Sequence, residues 1–193
     1  MDVGRALDQI AEIHQQIAKG EIYRGYRPLP VAASGLIGIA AAWLEPHSVT
    51  IDPARFVRYW MALGAVAALV GFSEILHNYL VHDDPTARRR TRRVLGQFLP
   101  SLVAGLAIAP ALLHSSPSFA IIIPGLWAVF FGVGVLASQP YLPRASGAVA
   151  LLYFAAGVWL LMETHALSGW QVGGVFGGGQ LLGALVLWRE PNW

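Results

Sequence analysis

The residue types best able to do chemistry stand together in one short stretch, Ser73-Glu74-Ile75-Leu76-His77-Asn78. Glu74, His77 and Asn78 are three and four residues apart, which puts them on one face of a helix. A carboxylate beside an imidazole that titrates near neutral pH is a set that can take up a proton or a small cation. The competing reading is a hydrogen-bonded pair at a membrane boundary, satisfied by an arginine of the loop that follows. Glu74-x-x-His77 is also half of a carboxylate-bridged di-iron motif. Such a site needs the motif on two helices plus two further glutamates, and here it occurs once. Gln180, a lone amide in an apolar run, is the remaining candidate for a polar path. An amide so placed often bonds a neighbouring helix, for roughly 1 kcal/mol.

A second set is scattered along the chain: His47, His114, Glu163 and His165. If the chain folds so that they share a face, three histidines and a carboxylate suit zinc or copper. His114 and His165 could also be paired axial ligands to a haem. The alternative is solvated histidines at the ends of helices. The sequence identifies no cofactor. The absence of cysteine removes disulfides, thiolate metal sites and cysteine nucleophiles together. The glycine run from Gly173 to Gly179 is not a phosphate loop, because no Lys-Ser/Thr follows it.

The elements that must hold these residues are membrane helices. Of the 193 residues 55% are hydrophobic and 12% charged, where a soluble domain carries about 25% charge. Mean hydropathy is +0.53. Apolar stretches run over about 29–45, 54–80, 96–114, 118–138, 145–163 and 171–188, each able, or nearly able, to cross roughly 30 Å of hydrocarbon. The first is the shortest, with re-entry at the interface as its alternative. Of the thirteen Lys and Arg residues, all but Arg55 and Arg58 fall on one side if there are six crossings. That side is expected to be cytoplasmic. The same distribution accounts for the pI near 9.2 without nucleic acid.

Trp43, Trp60 and Trp170 are expected at the outer interface and Trp188 at the inner one, with Trp127 packing inside the bundle. Glu74 then lies about 12 Å from a midpoint near Val66, just inside the hydrocarbon boundary. Pro110 and Pro124 are expected to kink the third and fourth spans.

Residues 1–28 open with no apolar leader. Residues 3–18 carry Val3, Ala6, Ile10, Ile13 and Ile17 on an apolar seam and are expected to form an amphipathic cytoplasmic helix. Arg24 and Arg27, interleaved with Tyr23 and Tyr26, together with Arg88, Arg89, Arg90, Arg92 and Arg93, suit anionic lipid headgroups or a cytoplasmic protein partner. Gly173, Gly177 and Gly178 suit close helix packing, within the chain or in a homo-oligomer.

The fold class expected is therefore all-α. An N-terminal amphipathic helix precedes a six-helix membrane bundle over 29–188, and a cytoplasmic tail follows over 189–193. Three functions fit the sequence: a non-catalytic accessory or regulatory membrane protein, a small oligomeric transporter or channel using Glu74 and His77, or a haem- or metal-binding redox protein. The first needs least of the few intramembrane polar groups.

Overall fold

A computed structural model describes residues 27–81, 85–162 and 166–189, with the backbone alone at 47, 48 and 86. The proposed amphipathic helix over 3–18 and Arg24 lie outside the described residues. Every secondary-structure element among them is a helix, with no strand.

Prolines set most of the boundaries. Helix α1, Pro28–Leu44, starts behind Arg27, whose extended backbone (φ −102°, ψ 143°) is the conformation favoured before a proline. It ends where Glu45 precedes Pro46 and turns out of the helix (φ −59°, ψ 120°). A single helical turn, His47–Thr50, leads to α2, Pro53–Val81. Asp52 caps α2: its Oδ1 accepts from the backbone N–H of Ala54 at 3.0 Å and of Arg55 at 3.2 Å. Helix α3, Pro85–Ser115, contains Pro100 and Pro110. A 3-10 segment, Pro117–Ile122, feeds α4, Ile123–Ser138. Pro124 falls in the first turn of α4, where a missing N–H costs nothing, so it does not kink the interior as the sequence suggests. After α5, Ser146–Met162, comes α6, Gly169–Arg189. Ser168 and Gln171 form a reciprocal cap on α6. The Gln171 side chain accepts from the Ser168 N–H at 3.1 Å, and the Ser168 hydroxyl accepts from Trp170 at 3.4 Å.

Four segments are long and apolar enough to cross a membrane: Pro53–Val81, Ala87–Ser115, Pro117–Tyr141 and Gly169–Arg189. This supports a membrane location. Helices α1 and α5 are apolar but only 17 residues each.

The six helices fall into two tight groups. In one, α1 packs along both α6 and α2; in the other, α4 packs along both α5 and α3. Contacts between the groups, α5 with α6 and α2 with α3, are much thinner. Two glycine seams explain the tight pairs. A Cβ on Gly177 of α6 would stand 2.8 Å from the Gly35 carbonyl oxygen of α1. A Cβ on Gly157 of α5 would stand 2.9 Å from the Gly125 carbonyl oxygen of α4. Backbones approach that closely only without side chains between them, and close approach maximises dispersion where lipid gives no hydrophobic drive. Gly173 also faces α1, whereas Gly178 has nothing within 4 Å of its Cβ position.

One end of the bundle is sealed by a cluster centred on Phe56, Val57 and Trp60, all nearly inaccessible, with Ala109, Ile123 and Val172 from other elements. Trp60 is thus a core residue rather than an interfacial anchor, because its ring fills the junction of α1, α2 and α6. Trp43, Trp170 and Trp188 are exposed, as anchors would be. At the other end Ile75 and Val94 pack with Phe72 and Tyr141, joining the end of α2 to the start of α3.

Candidate functional site: an intramembrane cavity and its margins

Between the two groups lies an open cavity of about 320 Å³, lined by all six helices. Its composition follows from the packing. Helix α2 has 29 residues, yet the buried ones are Phe56, Val57 and Trp60 near one end and Ile75 near the other. Between these anchors it offers the cavity Met61, Leu63 and Phe72 and, among them, the small residues Gly64, Ala65, Ala67, Ala68 and Gly71. At these small positions no side chain is long enough to fill the gap to α3, so space remains.

Five rings, one from each of α2 to α6, form a connected layer beside that space. Phe72 meets Phe98 at 6.0 Å between centroids, and Phe98 meets Phe131 edge-on at 5.3 Å. Phe131 in turn meets Tyr153 at 4.7 Å and Phe176 at 5.5 Å. The layer is the main bridge between the two groups. Tyr153 is held by a hydrogen bond from its hydroxyl to the Phe176 carbonyl oxygen (3.2 Å) and by another with the Gln180 side chain. Gly179 leaves room for its ring, since a Cβ there would fall on it.

The polar atoms along the wall are few and largely paired within the protein. Trp127 donates from its indole nitrogen to the Gly105 carbonyl oxygen at 2.9 Å, and the Ser34 hydroxyl donates to the Val31 carbonyl oxygen at 2.7 Å. Ser101, Ser146 and Gln180 complete the polar lining with Tyr153. Among the described residues no Asp, Glu, Lys, Arg or His lines the cavity.

The sequence-derived site therefore divides. Gln180 opens on the cavity; Glu74, His77 and Asn78 do not. Glu74 lies one turn beyond the cavity-lining Gly71 and pairs with Arg27, Nε to Oε1 at 3.0 Å. The arginine comes from the residue ahead of α1 and not from the loop after α2, because α1 packs along α2 with Pro28 at that level. The carboxylate is 32% exposed and the guanidinium 61%, so the pair is at a solvated margin. His77 is exposed and Asn78 half-buried on the same helix. Arg88, Arg89, Arg90, Arg92 and Arg93 are exposed on the first turns of α3, around the buried Thr91 and Val94. Arg88 donates to the Leu80 carbonyl oxygen at 3.3 Å and lies over the Tyr79 ring.

At the opposite end, His114 is exposed at the end of α3. The side chains of His47, Glu163 and His165 lie outside the described residues. Among the described residues no three His, Asp or Glu side chains form a metal-binding group. One acidic group there escapes sequence reasoning. Glu45, one residue beyond α1 and outside the helix, accepts from the Trp60 indole N–H at 2.9 Å and from the Gly169 backbone N–H. Partial burial pushes its carboxyl above the ordinary value, against the opposing pull of those two donors. It ties the end of α1 to the starts of α2 and α6. The signal for it was only a glutamate before a proline.

No protein-family model matches the sequence, and no curated protein or solved structure is detectably similar to it.

Proposed function

We propose that the chain is a six-span integral membrane protein, with Arg27, Arg88 to Arg93, Arg144 and Arg189 on the cytoplasmic side, that acts as a non-catalytic accessory or regulatory component. Four helices meet the length and hydropathy needed to cross. The other two, α1 and α5, rise about 25 Å over 17 residues, at the short end of the range that spans a bilayer. Both are flanked by longer apolar segments, α1 by α2 and α6, α5 by Pro117–Tyr141, which contains α4, and by α6. Six crossings also keep the Lys and Arg asymmetry intact.

The observation that supports a non-catalytic role is the chemistry of the cavity. An ion path through hydrocarbon needs charged or strongly polar groups along it. Glu74, one turn beyond the cavity-lining Gly71, is instead held by Arg27 at the margin. The exposed arginines of α3 then supply the contact surface, and anionic lipid headgroups are its fitting partner.

The lack of native cysteine makes the test clean. Single cysteines at Leu29, Arg89 and Ala145 should react with an impermeant maleimide only after cells are permeabilised, whereas those at Ile51, Ser118 and Ala166 should react in intact cells. Any exchange between the two sets overturns the six-span reading. For the non-transport reading, proteoliposomes should show no pH-dependent flux; a flux abolished by Glu74→Gln would overturn it.

A further inference from the structure

We propose that the cavity is a binding site for one small, uncharged, mainly apolar molecule dissolved in the bilayer, admitted sideways through the gap between α2 and α3. The inference goes beyond the accessory role and rests only on α2 and α3 lying in the membrane. The volume, about 320 Å³, falls at the lower end of the roughly 300–1,000 Å³ of small-molecule sites. With no Asp, Glu, Lys, Arg or His among the described residues of the wall, a charged ligand would be desolvated without a partner there, which disfavours ions, carboxylates and phosphorylated headgroups. The ring layer of Phe72, Phe98, Phe131 and Phe176 offers edges and faces to an apolar body.

The wall is not wholly apolar, and that selects among lipophiles. A primary amide carries two N–H donors and a carbonyl acceptor. The bond between Gln180 and Tyr153 uses part of that capacity, and Gln180 and Ser101 both line the cavity. A hydrocarbon chain would leave these groups unanswered. A molecule with one neutral hydroxyl or carbonyl at its end would satisfy them. The route follows from α2. Gly64, Ala65 and Val66 are exposed, and Gly64 has nothing among the described residues within 4 Å of its Cβ position, while contact between α2 and α3 is thin and includes Ile75 with Val94 at their linked ends. The opening thus faces the apolar phase in which such a molecule dissolves.

The test uses the full chain in phosphatidylcholine nanodiscs with a diazirine-bearing long-chain alcohol, and the matching carboxylate as its charged counterpart. The alcohol should label the segments around Ser101 and Gly105 and around Phe176 and Gln180. Labelling should saturate and be displaced by unlabelled alcohol. Gly64→Phe should reduce it about tenfold with an unchanged melting temperature, and Gln180→Leu about fivefold, the factor one neutral hydrogen bond of about 1 kcal/mol confers. Labelling that never saturates, that matches labelling at lipid-facing Leu69, or that the carboxylate reproduces would overturn the proposal, as would occupancy by lipid chains that the alcohol does not displace. Should Gly64→Phe fail to fold, displacement in the native chain still decides. Strong background labelling at Leu69 reports separately that α2 lies in the bilayer, so failure of the site and failure of the membrane placement are distinguishable.

Discussion

Helix α6 and helix α2 are both rich in small residues, yet they use them in opposite ways. On α6, Gly173 and Gly177 are covered by α1 and bring two backbones into contact. On α2, Gly64, Ala65, Ala67, Ala68 and Gly71 face a cavity. The sequence signature is nearly the same, and the difference lies in the partner. Helix α1 presents Gly35 and Gly38 to α6, so two smooth surfaces meet. Helix α3 is held away from α2 by bulky contacts at the linked ends, Ile75 on Val94 and Phe72 on Phe98. Small residues seal a gap only when both sides are small and the helices are free to close.

Substitutions can break this contrast. The largest effect is expected at the seams: Gly177→Leu and Gly157→Leu should each cost about 3 kcal/mol, because backbone must move to admit the side chain. Unfolding in detergent micelles measures it, and a loss no greater than at Gly64 would refute the seam assignment. Trp60→Phe should come next, at about 1 kcal/mol, since it removes the N–H that Glu45 accepts.

Glu45 also gives a pH test of that end of the bundle. Its folded-state pKa is raised, so the folded chain holds the proton more tightly than the unfolded one. Its contribution is fully present in acid and falls as pH climbs from about 4.3, the ordinary glutamate value, through the raised one. Glu45→Gln should flatten this part of the melting-temperature profile; an unchanged slope would assign it to another group.

A smaller effect is expected for the Arg27–Glu74 pair. Its exposure limits the coupling to under about 1 kcal/mol in a double-mutant cycle. The smallest belongs to Gly64→Leu, within about 0.5 kcal/mol of the native chain, as expected where a new side chain meets nothing.

Much of the helical frame was legible in the residues. The apolar segments and the close-packing role of Gly173 and Gly177 follow from local rules: rise per residue and the missing glycine Cβ. The site was legible in part. An arginine is expected beside Glu74 and one is there, but it is Arg27 and not an arginine after α2, because proximity in sequence favours the residues that follow. Trp60 was misread as an interfacial anchor for a related reason. A tryptophan near a span end looks the same whether its ring meets headgroups or the junction of three helices.

Sequence alone determined that the chain is helical and membrane-like, and which residues have no side chain to keep backbones apart. Those properties belong to single segments and the solvent around them. Tertiary structure decided that α1 lies against α6, the first helix of the bundle beside the last, and that α2 and α3, neighbours in sequence, part to leave a cavity. It also decided that Gln180 faces that space while Glu74 does not. Such facts depend on which surfaces meet, and a helix carries its small face without specifying whether another helix or an empty space will lie opposite.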